Sequence, residues 1–181
     1  MKKLFIISAM IVLTLPSNAQ FTKATLQATG LTCAMCSNAI NKALQKVTFV
    51  ESVKADIKNS AFDIVFKKDA DVNIDALKEA VEDAGFSIGG LKVTGNFDEL
   101  KVAPDEHIKI GKENFHFLAV SNQTLNGEKT ITVVDKDFVT AKQFKKISSS
   151  SKMACVQTGK AAACCSKDGV AADARVYHVT I

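Results

Sequence analysis

Between Phe21 and Val93 the apolar residues switch period in a fixed order, and that order limits the fold more than any other feature of the chain. Phe21, Leu26 and Ala28 mark a loosely alternating, strand-like segment that ends near Thr29. Ile40, Ala43, Leu44 and Val47 then recur at helical spacing, with neither Pro nor Gly between Ser37 and Lys46. Val53, Ala55 and Ile57 alternate with polar residues, Lys58-Asn59-Ser60 reads as a hairpin turn, and Phe62, Ile64 and Phe66 resume the period of two. Asn73 or Asp71 can cap a second helix with the apolar face Ile74, Leu77, Val81 and Ala84. Gly85 stands where that helix should end in a left-handed residue. Phe86, Ile88, Leu91 and Val93 read as a last strand, broken at Gly89-Gly90. Strand, helix, strand, strand, helix, strand is the split βαβ order, so the expected class is α+β with a ferredoxin-like βαββαβ N-terminal domain.

The first strand and the first helix are joined by Gly30-Leu31-Thr32-Cys33-Ala34-Met35-Cys36-Ser37. Two thiols three positions apart thus sit at the start of a helix, where unpaired backbone N–H groups favour anionic groups. Such a pair can bind a soft metal or exchange with disulfides. Structural zinc asks for four ligands, and residues 20–95 hold no His and no third Cys. Two thiolates alone suit Cu(I) and also Hg(II), and they leave room for a partner's thiolate to enter. Met35 lies between the two ligands in sequence and is expected to point outward.

Residues 21–94 resemble the heavy-metal-associated domain of copper chaperones and metal-transporting P-type ATPases. The family's signature is Gly-Met-Thr-Cys-x-x-Cys after the first strand; this chain keeps Gly30, Thr32, Cys33 and Cys36 and has Leu31 for the Met. The resemblance implies that Leu31 fills the core position beneath the loop, a volume-conserving change. It also implies, through Asp83-Ala84-Gly85-Phe86, that Phe86 approaches the metal loop after the second helix. The rival reading of the motif is a thioredoxin-like dithiol. Against it, no Trp precedes Cys33, no Pro lies between the cysteines, and the one Pro beyond residue 19 is Pro104.

Met1-Lys2-Lys3, the apolar run Leu4 to Leu15 and the small-residue exit Pro16-Ser17-Asn18-Ala19 describe a secretory signal peptide over 1–19. The run is too short to span a bilayer comfortably, so no stable membrane insertion is expected after cleavage. The formal net charge of +4 falls to +2 without Lys2 and Lys3, 21 basic residues facing 19 acidic ones. That balance, with no basic run, gives no footprint for nucleic acid. A periplasmic or secreted product is the expectation.

Residues 96–104, polar and rich in turn formers, are read as a linker between a domain at 20–95 and a second at 105–181. In the second, His107-Ile108-Lys109-Ile110 is short and alternating, Phe115 and Phe117 share one strand face with His116 on the other, and Leu125-Asn126-Gly127-Glu128 carries a turn dipeptide. Ile131 to Val134 reads as a strand, and Phe138 to Ile147 as a short helix capped by Thr140. From Arg175 to Ile181 the pattern alternates, with His178 on one side and Tyr177 on the other. Several short strands with a late helix point to a small, mainly-β, OB-like barrel, with a β-sandwich as the alternative.

Ser148 to Ala174 is a long segment rich in Ser, Ala, Lys and Gly, and loops of that size usually carry function or stay disordered. It holds Met153, Cys155, Cys164 and Cys165, which read either as a disulfide tying the loop or as a second soft-metal site. His107, His116 and His178 fall on different strands, and a lone strand His is more often a surface or half-buried residue than a ligand. Taken together, the expected protein is no enzyme. It is an exported Cu(I)-binding protein, with mercury binding or dithiol redox as alternatives. Its partner would be a metal-exchanging protein with exposed thiolates, such as a P-type ATPase or a periplasmic metalloprotein.

Overall fold

The computed structural model describes residues 20–31 and 34–181. The segment read as a signal peptide and two residues of the thiol loop, Thr32 and Cys33, lie outside the described residues. The first six elements are β1 (Gln20–Thr29), α1 (Ala34–Gln45), β2 (Val50–Asp56), β3 (Ala61–Phe66), α2 (Ile74–Asp83) and β4 (Ser87–Val102). Their strands run antiparallel in the order β2-β3-β1-β4, the arrangement the periodicity predicts.

Each element forms for a local reason. On β1, Phe21, Ala24, Leu26 and Ala28 are buried while the residues between them face solvent, which fixes the register against β3 and β4. Helix α1 buries Ser37, Ile40 and Leu44, and α2 buries Ile74, Leu77 and Val81, one stripe each at helical spacing. Helix α2 is held at its start from two sides. Asn73 Oδ1 accepts from the Ala76 N–H at 3.0 Å, and the Tyr177 hydroxyl accepts from the Asp75 N–H at 3.2 Å. At its other end Gly85 takes φ +86°, as expected of a helix exit.

The expected linker does not form. β4 runs through residues 96–102 as continuous strand, and its outer edge pairs with β7 (Gln123–Val133) from Leu91↔Val133 to Val102↔Gln123. Gly95 serves a close approach here and not a turn: a Cβ at this position would lie 2.8 Å from the Gln20 carbonyl oxygen of β1. The polar run after it, Asp98-Glu99, lies at a bulge, between Phe97↔Gly127 and Leu100↔Leu125. The Asn126-Gly127 pair therefore sits inside β7, not at a hairpin turn.

The expected barrel is likewise replaced by an extension of the first sheet. β5 (Glu106–Ile110), β6 (Glu113–Phe117), β7 and β8 (Val176–Thr180) complete one eight-stranded sheet in the order β2-β3-β1-β4-β7-β8-β6-β5. Pairing onto β4 covers that strand's edge and makes β5 the end strand of the sheet. Among the described strands, only the β6–β8 pair is parallel. Phe115, Phe117, Tyr177 and Val179 join Leu26, Ile40, Leu77 and Val93 in one core. The opposite face of β6 and β8 is covered by the segment that follows α3 (Ala141–Ser148), which includes the short α4 (Cys155–Thr158) and a 3₁₀ turn at Ala163–Asp168. There Leu118, Val134, Cys155, Val156, Cys165 and Val176 make a second, smaller core. Thr140 caps α3 as expected, in a capping box with Gln143.

Candidate metal centre

The thiol loop leaves β1 through Gly30, whose φ of +80° is the left-handed conformation that a glycine adopts without strain. The same position lies against Phe86, whose Cδ1 would be 4.0 Å from a Cβ at residue 30. The ladder pair Thr29↔Ser87 brings the α2–β4 turn to this point, so Phe86 does stand beside the loop. Leu31 is partly buried against the main core, as the family comparison implies for that position. Cys36 is half-buried in the first turn of α1, next to the buried Ser37. Met35 is 82 % exposed and faces solvent.

A second cluster of ligand-type residues occupies the far end of the sheet. The ladders set His107 opposite His116 and His116 opposite His178, so the chain's three histidines form a row across β5, β6 and β8. All three are buried, His116 and His178 with no exposed surface, and the His107 and His116 rings stack at 4.2 Å. His116 alternates with Phe115 and Phe117, which belong to the core under α1 and α2; the imidazole therefore projects from the opposite face, toward the cysteine segment. Cys155, the first residue of α4, is fully buried, and its Sγ lies 3.6 Å from His107 Nε2 and 3.6 Å from His116 Nδ1. The ligand atoms of His107, His116 and Cys155 all lie within 4.8 Å of one another, as do the sulfurs of Cys155, Cys164 and Cys165.

None of Cys155, Cys164 and Cys165 is in a disulfide, and the vicinal sulfurs of Cys164 and Cys165 are 3.7 Å apart. The tied-loop reading is thus not the state of this structure; 3₁₀ and helical turns order the segment instead. Burial first, and then the Cys165 thiol, push the Cys155 thiol above its ordinary value. At Cys164, burial opposes ionisation but the Cys165 thiol and the Cys155 and Ala154 backbone outweigh it, so that thiol is held below its ordinary value. Burial, then the facing His107 and His178, lower His116 to about 4, which keeps it neutral.

Each histidine has a carboxylate beside one ring nitrogen, hydrogen-bonded in His107 and His178 only. His107 Nδ1 is 2.7 Å from Asp168 Oδ2, His178 Nδ1 pairs with Asp135 Oδ1, and His116 Nε2 is 3.3 Å from Asp105 Oδ1, outside hydrogen-bonding alignment. A carboxylate behind an imidazole fixes the tautomer and leaves the other nitrogen as a lone-pair donor. The same Cys–His–Asp relay can activate a nucleophilic cysteine. Cys155 is sealed from solvent, which leaves no access for a substrate to its sulfur.

The heavy-metal-associated domain model matches residues 25–87. Over 86 residues the chain is 35 % identical to the periplasmic component of the mercuric transport protein of Salmonella typhi, a match covering 48 % of this chain and 93 % of that protein. The chain belongs to the heavy-metal-associated domain family. It is also 41 % identical over 58 residues to the copper-transporting ATPase RAN1 of Arabidopsis thaliana, spanning 32 % of this chain but only 6 % of the ATPase. Among solved structures, a copper binding domain from HMA7, a P-type ATPase, is 36 % identical, with a TM-score of 0.34, over 37 % of this chain and 92 % of that one.

The heavy-metal-associated match thus runs from the middle of β1 to the start of β4 and leaves β5–β8 and the cysteine segment outside it. Of the residues singled out from sequence, Gly30 and Phe86 meet at the loop, and Cys155, Cys164 and Cys165 come together. Met153 is partly buried against the second core beside them, whereas Cys33 and Thr32 lie outside the described residues. The histidines and their carboxylates were missed. Alternation assigned His116 and His178 to the correct faces, but only the parallel β6–β8 pairing makes them neighbours.

Proposed function

We propose that this chain is an exported protein that binds Cu(I) through Cys33 and Cys36 and sequesters or hands on the ion by thiolate exchange, without enzymatic turnover. The observation that carries the reading is the Cys-x-x-Cys sequence leading into α1 within the region that the heavy-metal-associated domain matches, with Phe86 packed against Gly30 where the chain leaves β1. Two thiolates form a soft, low-coordinate site from which a partner's cysteine can take the ion. The partner would be a protein with exposed thiolates, such as a P-type ATPase or a periplasmic metalloprotein. Support for export comes from the Met1–Ala19 pattern, and from the periplasmic relative of which the chain covers 93 %. No helix among the described residues is long and apolar enough to cross a membrane.

Hg(II) is the second reading, favoured by that same mercuric relative. Competition for Cu(I) against a chromophoric chelator, run beside Hg(II) binding and insulin reduction, separates the readings. The expected result is tight Cu(I) binding whose stoichiometry falls by one ion per chain in Cys33→Ser/Cys36→Ser. Insulin turnover without metal competition would instead make the pair a dithiol oxidoreductase.

A further inference from the structure

We propose that His107, His116 and Cys155, completed by sulfur from the Cys164–Cys165 pair, form a second metal site for an ion that accepts imidazole and thiolate together, which is the chemistry of copper and of zinc. The site is separate from the CxxC loop. β6 stands four strands from β1 in the sheet, which at about 4.8 Å per strand is roughly 19 Å, so one ion cannot serve both.

Three observations on the cluster point to a cation. The first is spacing. Tetrahedral bonds of about 2.3 Å to sulfur and about 2.0–2.1 Å to nitrogen put neighbouring S and N ligands about 3.5–3.6 Å apart. Cys155 Sγ stands 3.6 Å from both imidazole nitrogens. The second is proton accounting. The hydrogen bond from His107 Nδ1 to Asp168 leaves His107 Nε2 as a lone pair facing Cys155. The Asp105 carboxylate, 3.3 Å from His116 Nε2 though out of hydrogen-bonding alignment, favours the His116 proton on that side. A single S–H then cannot satisfy both nitrogens facing Cys155. A metal ion satisfies both and takes the thiolate as a third ligand, the thiol proton leaving to solvent as the ion binds.

The third observation is that the site is built and has an entrance. His107 and His116 sit on paired strands, and Cys155 and Cys165 are both fully buried, so at least three donors are held by packing before any ion arrives. Cys164 is the half-buried member, and it lines an open depression together with Met153, Asp105 and Ala163. A soft sulfur at the mouth and mixed donors below it give an ion a path inward. Where the CxxC pair is proposed for exchange, this site is enclosed and suited to retention.

The test uses the full chain carrying Cys33→Ser/Cys36→Ser, so that only the second site remains. Cu(I) and Zn(II) are supplied separately, and Co(II) serves as the spectroscopic probe for zinc. One ion per chain should survive desalting, and the Co(II) form should show intense tetrahedral ligand-field bands with thiolate-to-cobalt charge transfer. Adding Cys155→Ser, or separately His116→Gln, should lower retention at least tenfold, circular dichroism confirming the fold. X-ray absorption at the edge of the retained metal, which needs no further variant, should show nitrogen and sulfur in one shell. Retention of copper alone or of zinc alone identifies the ion, and either supports the site. A folded chain that retains neither ion, a sulfur-only shell, or retention unchanged in both folded variants overturns it. None of these outcomes touches the CxxC reading, which is tested by the loss of one Cu(I) per chain on removing Cys33 and Cys36, whatever the second site retains.

Discussion

Arg175 grips Asp75 with two hydrogen bonds, Nε to Oδ2 at 2.8 Å and Nη2 to Oδ1 at 3.1 Å, and so ties the approach to the last strand to the second helix of the heavy-metal-associated domain. The same guanidinium reaches Asp135 Oδ2 at 2.9 Å and stacks over the Tyr177 ring at 4.2 Å. Lysine keeps the charge but cannot reproduce a planar fork. Arg175→Lys should therefore cost about 1–2 kcal/mol, the lower part of the range for charged hydrogen bonds because both side chains are about a third exposed. Urea denaturation of the two proteins measures it; an unchanged midpoint would show that the clamp adds nothing.

β4 belongs to both halves of the chain, since its inner edge pairs with β1 and its outer edge with β7. The described residues should therefore unfold in one transition. Gly95→Ala, which sets a methyl 2.8 Å from the Gln20 carbonyl oxygen, should lower the stability of the whole sheet by about 1–3 kcal/mol. Two separate thermal transitions, or a Gly95→Ala effect confined to one of them, would show that the halves fold independently.

The first half of the fold was legible because its apolar residues report burial on one face at a time. Ile40 and Leu44, or Ile74, Leu77 and Val81, carry the period of their helices without help from distant residues. The second half was not legible for the opposite reason. Gly95, Asp98 and Glu99 look like turn formers, and only the close approach of Gln20 and the bulge opposite Gly127 explain them inside a strand. β6 and β8 are buried on both faces, so alternation on them does not separate inside from outside. The row His107, His116, His178 depends on a parallel pairing between strands some sixty residues apart, which no local pattern encodes.

Gly30 and Phe86 should matter to the loop more than to the fold. Gly30→Ala forces a side chain into φ +80° at a cost of about 1 kcal/mol or more. Relaxing that strain moves the chain entering Cys33. Cu(I) affinity should drop roughly tenfold in Gly30→Ala, and also in Phe86→Ala, while circular dichroism stays unchanged. Chelator competition reads the affinity. Wild-type affinity in both variants would remove these residues from any role in supporting the loop.

Met35, 82 % exposed on the first turn of α1, points away from the protein. Met35→Leu should leave Cu(I) affinity within roughly threefold of wild type, about 0.7 kcal/mol. A larger loss in the same competition assay would place its thioether on the metal.

The central claim is that Cys33 and Cys36 together bind Cu(I). The most direct measurement is X-ray absorption at the copper edge of a Cu(I)-loaded chain carrying Cys155→Ser/Cys164→Ser/Cys165→Ser, which leaves those two as its only cysteines. The account predicts one copper per chain in a shell of sulfur alone, abolished when Cys33→Ser/Cys36→Ser is added. A copper shell of nitrogen or oxygen, or no copper retained by the folded triple variant, would contradict it.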